Sequence, residues 1–143
     1  QSIRAVIPKI ITQVLSNNKI ITLGDIKPTR DFNFITDTCK AIENSIKKTK
    51  IGEVYNYGSG KEISIKKIVE LILKISGKNK KIFQNKKNFR PKQSEVYRLL
   101  CDNKKFKKAT GFKPQLNLIS GLKLTIDWYR NNLKKFKNNK FFN

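Results

Sequence analysis

The chain has 143 residues, of which 32 are Lys or Arg and 10 are Asp or Glu, so its formal net charge is +22. It contains no histidine, which excludes a Ser-His-Asp triad and a histidine-ligated metal built from this chain alone. With 38% hydrophobic residues it can bury the core of one domain, which argues against a disordered basic tail.

The first residue indicates how the chain originates, and the cysteines indicate the cellular compartment of the protein. The chain begins with Gln1 and has no methionine, so we expect a piece of a longer protein or a processed product. Cys39 and Cys101 are far apart in sequence, a pattern that fits neither a disulfide framework nor a zinc site and is typical of a reducing cytosol. No apolar run approaches the roughly 20 residues that span a bilayer. We therefore expect a cytoplasmic chain that does not enter a membrane.

The excess of positive charge has two explanations. Such a charge is typical of proteins that bind nucleic acid or another polyanion. However, lysine greatly outnumbers arginine, the residue whose planar fork grips phosphates, and an excess of lysine, asparagine and isoleucine is also what an AT-rich genome produces. The few arginines are therefore the positions to inspect.

The first half of the chain predicts two helices and three short strands. Apolar spacing predicts a helix over 6–16, and short strands are expected at 20–23 and 32–35, on either side of a turn. A second helix is predicted from about residue 36 to Lys48. Alternating side chains at 53–57 predict a third strand.

The second half predicts three helices and one strand. Ser64 is the expected N-cap of a strongly periodic helix that Gly77 ends. A strand is predicted at 80–84, a short helix between Asn103 and Gly111, and a last helix over 118–133. Residues 134–143 are expected to form a basic, frayed tail. The order of elements predicts a mixed α/β fold.

Gly58 and Gly60 form the one close pair of glycines in the sequence. No third glycine follows in the register of a dinucleotide-binding turn. We interpret the pair as a turn that ends a strand, with a phosphate cradle as the alternative.

Two arginines lie in loops where the neighbouring residues stiffen the backbone. Arg30 is part of Pro-Thr-Arg-Asp-Phe at 28–32, and Arg90 is part of Phe-Arg-Pro at 89–91. Two guanidiniums that converge from separate loops would clamp a diphosphate, since each donates two parallel hydrogen bonds to phosphoryl oxygens. The alternatives are a local ion pair of Arg30 with Asp31 or Asp37, and a solvated surface role for Arg90.

The start of the first helix is a third candidate anion site. Arg4 and Val6 lie just before Pro8, at a helix N-terminus whose free N–H groups and dipole favour an anion.

Taken together, these motifs resemble the C-terminal, substrate-binding part of NAD-dependent epimerase/dehydratases, the extended short-chain dehydrogenase/reductase family that acts on nucleotide sugars. The likeness is nearest to the 4,6-dehydratases, including the legionaminic-acid pathway type and GDP-mannose 4,6-dehydratase. It covers about residues 1–133, and the matching segments are 1–8, 23–25, 28–32, 53–65, 90–96, 110–114 and 121–122.

The resemblance implies that residues 1–133 form a nucleotide-sugar-binding domain with a small mixed sheet, missing its Rossmann domain. That domain would come first, bind NAD(P) and carry the catalytic Tyr-x-x-x-Lys pair, so this chain alone is expected to lack the pair and to be inactive. Without the Rossmann sheet, an apolar surface should be left exposed. The complete enzyme would be a cytoplasmic homodimer that makes sugars for surface polysaccharides. Its partner would be a nucleotide-diphosphate sugar, with a nucleic-acid-binding module as the rival interpretation.

Site residues follow from the same resemblance. Arg30 matches the arginine of the family's Arg-Asp-aromatic motif, and Arg90 that of its Arg-Pro motif; both contact the nucleotide diphosphate in the family. Glu95 matches a glutamate that contacts the nucleotide ribose. Arg4 to Val6 match the segment that opens the helix beside the pyrophosphate.

Overall fold

A computed structural model describes residues 5–137, without the side chains of Lys92 and of residues 133–137. This part of the chain holds five α-helices and four short strands, which confirms the mixed α/β class. In chain order they are α1 (Val6–Leu15), β1 (Ile20–Leu23), β2 (Thr29–Asp31), α2 (Ile35–Lys48), β3 (Glu62–Ser64), α3 (Ile65–Ser76), β4 (Lys81–Gln84), α4 (Lys104–Thr110) and α5 (Leu118–Lys137).

The four strands divide between two small sheets. β1 and β4 pair in parallel, from Ile20 opposite Lys81 to Leu23 opposite Gln84. A parallel pair needs a long crossover, and α3 lies within the one that joins these two strands. β2 and β3 pair antiparallel and form the second sheet.

The core lies where α1, α3 and α5 pack together with β1. Each helix turns one apolar stripe inward, as its spacing of isoleucine, valine and leucine predicts. The buried members are Ile10, Ile11, Val14, Ile21, Leu23, Ile65, Ile68, Val69, Ile72, Leu122, Ile126 and Tyr129.

The predicted ends of α3 are confirmed. The Ser64 hydroxyl accepts a hydrogen bond from the backbone N–H of Lys67 at 3.2 Å, which satisfies one of the free donors of the first turn. Gly77 ends the helix with φ of 64°, a left-handed conformation that glycine adopts without steric cost.

Two predicted strands are wrong. The strand expected at 32–35 lies instead at Thr29–Asp31, and the segment 53–57 joins neither sheet. The side chains of Tyr55 and Tyr57 pack edge to face on Phe106 of α4, with ring centroids 6.4 and 5.9 Å apart. The segment is therefore held by aromatic contacts rather than by backbone pairing.

The C-terminal helix is longer than predicted. α5 continues to Lys137 instead of ending at residue 133. The rest of the predicted frayed tail, residues 138–143, lies outside the described residues. Within residues 5–137, no helix combines the length and apolar character needed to cross a bilayer.

Candidate functional site

Arg30 lies in the middle of β2, opposite Ile63 of β3. Its Nη1 donates to the carbonyl oxygens of Thr29 and Val96 at 2.7 and 2.6 Å, and its Nη2 donates to Oε1 of Glu95 at 2.9 Å. The Arg30 and Glu95 side chains are only 20% and 10% exposed. The structure therefore brings two of the predicted site residues into one partly buried ion pair.

The segment that carries Glu95 is fastened along the edge of β2. Thr29 donates its N–H to the carbonyl of Tyr97 at 2.8 Å, and its own carbonyl accepts the N–H of Leu99 at 3.2 Å. A second ion pair joins Arg98 to Glu62 of β3 at 2.6 Å. Hydrogen bonds from Arg98 and from the Thr29 hydroxyl lower the pKa of Glu62. No sequence motif predicts this pair, because its members are 36 residues apart.

The alternative prediction, an ion pair of Arg30 with Asp31 or Asp37, is wrong. The carboxylate of Asp31 accepts hydrogen bonds from the turn at 58–60. Asp37, only 2% exposed, accepts the backbone N–H groups of Gln115 and Leu116 at 3.0 and 3.1 Å. Both aspartates therefore hold backbone segments in place, while the partner of Arg30 comes from 65 residues further along the chain.

The turn at Gly58 and Gly60 serves Asp31. The backbone N–H groups of Ser59 and Gly60 donate to its carboxylate at 3.0 and 2.9 Å, and the Ser59 hydroxyl donates at 2.6 Å. A Cβ at Gly58 would lie 2.4 Å from the Cβ of Cys101, so only glycine fits there. Because these N–H groups are already bound to a carboxylate, the turn interpretation is favoured over the phosphate cradle.

One sequence feature corrects the expectation that this chain lacks a Tyr-x-x-x-Lys spacing. Tyr57 and Lys61 stand four residues apart. They flank the turn at 58–60 rather than sharing a helix face, and Lys61 is exposed. Burial raises the pKa of Tyr57, whereas a tyrosine that acts as a base at neutral pH needs a lowered one. The spacing is therefore not a catalytic pair.

Arg90 lies on an exposed loop between two short 3-10 turns, Lys86–Asn88 and Lys92–Ser94. This loop follows β4 and begins beside the end of β1, where the N–H of Asn85 donates to the carbonyl of Leu23 at 2.8 Å. A Cβ at Gly24 would lie 2.4 Å from the backbone oxygen of Asn88, so the glycine allows this close approach. Convergence of Arg90 with Arg30 stays a prediction.

The third candidate site is only partly described. Arg4 lies outside the described residues. Val6 is the first residue of α1, and its half-buried side chain packs against the core. A ligand at this helix start would therefore meet backbone N–H groups rather than the Val6 side chain.

Comparison with known proteins places the chain in a class. A sequence model of the GDP-mannose 4,6 dehydratase family matches residues 1–125. The chain therefore belongs to this family, and its fold matches the C-terminal portion of extended short-chain dehydrogenase/reductase proteins.

Three individual relatives show how similar the chain is to known dehydratases and epimerases. Human dTDP-D-glucose 4,6-dehydratase is 31% identical over 138 residues, which cover 93% of this chain and 39% of that protein. The structure of dTDP-glucose 4,6-dehydratase from Bacillus anthracis in complex with NAD matches with a TM-score of 0.83 and 30% identity, covering 94% of this chain and 42% of that one. UDP-glucuronic acid 4-epimerase from Bacillus cereus, also with NAD, matches with a TM-score of 0.76 and 28% identity, covering 99% and 42%. The chain thus spans about two fifths of the length of the relatives that it matches.

NAD(P) is implied by this family. The glycine turn at 58–60 does not fit the group, because its N–H donors bind Asp31. This turn therefore does not hold the cofactor.

Proposed function

We propose that residues 1–133 form the nucleotide-sugar-binding domain of a cytoplasmic, NAD-dependent nucleotide-sugar 4,6-dehydratase or epimerase. The family match over residues 1–125 and the dehydratase and epimerase relatives support this proposal. Free Cys39 and Cys101 suit a reducing compartment. Production of surface-polysaccharide sugars and a homodimeric assembly follow from the resemblance of the motifs.

The observation that carries the proposal is the placement of Arg30. It lies on a strand, held by three hydrogen bonds, and its arginine motif is the one that contacts a diphosphate in the family. Three of its five N–H donors are used in these bonds, and the described residues leave the other two for a ligand. We assign Arg30 and Arg90 to the diphosphate, Glu95 to the neighbourhood of the ribose, and the backbone of residues 4–6 to the pyrophosphate.

The chain covers about two fifths of the length of its relatives, so we divide the enzyme's functions between this chain and the rest of the full-length protein. The NAD site and the catalytic tyrosine and lysine would belong to the other part of the full-length protein. Tyr57, whose pKa is raised by burial and which lies beside a turn, does not take the place of that tyrosine. The 143-residue chain alone is therefore expected to be inactive.

A ligand panel tests the proposal. The full-length protein that carries this chain would be titrated calorimetrically with dTDP-glucose, GDP-mannose and UDP-glucose, and then assayed with each for 4-keto-6-deoxy sugar or epimer formation. We expect binding and turnover with at least one of them, and no turnover by the 143-residue chain at the same concentration. Failure of all three to bind would contradict the proposal.

The net charge of +22 keeps the polyanion interpretation testable in parallel. Gel-shift measurements with duplex DNA and single-stranded RNA across a salt series would separate the two functions. We expect weak binding that physiological salt abolishes. Tight binding with a steep salt dependence, together with no response to nucleotide sugars, would favour a nucleic-acid-binding module.

A further inference from the structure

The guanidinium of Arg30 is oriented by two different chain segments. The carbonyl of Thr29 comes from its own strand, while the carbonyl of Val96 and the carboxylate of Glu95 come from a segment 65 residues away. Contacts from both segments fix the plane of the group. Glu95 is the charged member of the set, and its side chain is 10% exposed.

Glu95 is one of several attachments of its segment. The backbone bonds of Tyr97 and Leu99 to Thr29 already attach residues 97–99 to β2. The Arg98–Glu62 ion pair adds a side-chain attachment to β3. Because the Arg98 side chain is 71% exposed, the Arg98–Glu62 pair resembles an ordinary surface ion pair. The Arg30–Glu95 pair is more deeply buried.

We infer that Glu95 is a positioning residue for Arg30: it holds the guanidinium in the orientation in which the two remaining N–H donors meet a diphosphate. The inference rests on the proposed function and deepens it. An arginine that is already ordered loses less conformational entropy when it binds, so its hydrogen bonds contribute more to affinity.

Simple electrostatics predicts the opposite effect of Glu95. A carboxylate close to the phosphate site repels the anion, and its removal should then strengthen binding. If Glu95 contacted the ribose and did not position Arg30, it would matter only for ligands that contain a nucleoside. The three roles therefore differ in the sign of the effect or in the ligands affected.

The experiment uses the full-length protein with Glu95→Ala and Glu95→Gln, and Glu62→Ala as the matched control that breaks the neighbouring ion pair. Affinity for two probes is measured by calorimetry: inorganic pyrophosphate, and whichever of UDP, dTDP and GDP the unmodified protein binds most tightly. We expect Glu95→Ala to weaken both probes about tenfold, the effect of a lost hydrogen bond to a charged group. Glu95→Gln, which keeps an acceptor oxygen, should lie in between, and Glu62→Ala should change affinity less than about threefold.

A double-mutant cycle separates positioning from a general structural effect. In the Arg30→Ala background, Glu95→Ala should cause no additional loss, because there is no guanidinium left to orient. An additive loss, tighter binding of either probe, a loss confined to the nucleoside diphosphate, or an equal loss in Glu62→Ala would each overturn the inference. If the unmodified protein binds nucleotide sugars while any of these occurs, only this inference fails. If it binds neither nucleotide sugars nor the probes, the proposed function fails as well.

Discussion

The helices α1 and α2 differ in where their isoleucine side chains lie. In α1 the isoleucines turn inward, and Ile10 and Ile11 are fully buried. In α2 the buried positions include Asp37 and Ala41. The isoleucines of α2 point outward instead: Ile42 is 59% exposed, and Ile46 is 81% exposed. The chain thus completes its core on the side of α1 and leaves an apolar face on the side of α2.

The neighbouring segment gives the same picture. Residues 53–57 have the alternation of a strand and yet belong to neither described sheet, and Val54 within this segment is 80% exposed. Large apolar side chains that stay exposed in this way are typical of an interaction site. Because the relatives are more than twice as long as this chain, we expect the rest of the full-length protein to cover this face. The contrast between the two sides can be tested by mutation and by labelling.

Substitutions in the core should change stability most. Ile72→Ala removes a fully buried side chain of α3 and should lower the free energy of unfolding by about 2 to 5 kcal/mol. In the 143-residue chain, Ile46→Ala on the exposed face should change it by less than about 0.5 kcal/mol. Urea unfolding of both variants measures the difference. Ile72→Val, with an expected loss of about 0.5 to 1.5 kcal/mol, serves if Ile72→Ala does not fold. Equal losses at positions 72 and 46 would contradict the contrast.

A smaller effect is expected where the two sides are joined. Asp37 of α2 accepts the N–H groups of Gln115 and Leu116, just before α5. Asp37→Asn removes the charge and one acceptor oxygen, so it should destabilise the chain by about 1.5 to 3 kcal/mol. Asp127→Asn, at an exposed ion pair on α5, is the control and should cost less than about 1 kcal/mol. Similar losses in both variants would show that Asp37 does not join the two sides.

Cysteine labelling reports on the exposed face directly. Cys39 lies on the same face of α2 as Ile42 and Ile46 and is exposed. Burial, together with the nearby carboxylates of Asp31 and Asp102, raises the pKa of Cys101 and lowers its thiolate fraction at neutral pH.

Iodoacetamide should therefore modify Cys39 before Cys101 in the 143-residue chain, as read by mass spectrometry of the digested protein. In the full-length protein Cys39 should be protected. Equal labelling of Cys39 in both proteins would show that the α2 face stays uncovered.

The smallest effect concerns acid stability. The lowered pKa of Glu62 means that its pairing stabilises the folded chain above the ordinary glutamate pKa of about 4.3 and that this contribution is lost as the pH falls through the folded-state value. Glu62→Gln should therefore reduce the loss of stability on acidification below about pH 4.3, with little change in its pH dependence near neutrality. Urea midpoints at a series of pH values would show it. If Glu62→Gln left the loss of stability at acidic pH unchanged, the stabilising role of the Glu62 pairing would be contradicted.

The helices could be predicted because their information is local. The stripe of α3, its Ser64 cap and the Gly77 stop all lie within one short segment, and the structure confirms each of them. The strand at 53–57 was predicted wrongly because alternation describes one strand, whereas a strand exists only with a partner. β3 was missed because three residues are too few to show a pattern.

In the site, too, local sequence patterns predicted single residues but not their partners. The loop context singled out Arg30, and the resemblance singled out Glu95, yet their pairing depends on a fold that brings together residues 65 positions apart. Sequence proximity instead suggested Asp31 and Asp37 as partners, both of which hold backbone N–H groups. Residue type predicted the chemistry, while the partner was set by tertiary structure.

A calorimetric titration distinguishes a diphosphate clamp from diffuse positive charge. In the full-length protein, Arg30→Lys and Arg90→Lys keep the positive charge and lose the bidentate fork, so each should weaken nucleotide-sugar binding by about 1.5 to 3 kcal/mol in calorimetry. Lys27→Ala removes an exposed charge close in sequence and should cost well under about 1 kcal/mol. Equal losses in all three variants would mean that only diffuse positive charge is used, and the clamp would be contradicted.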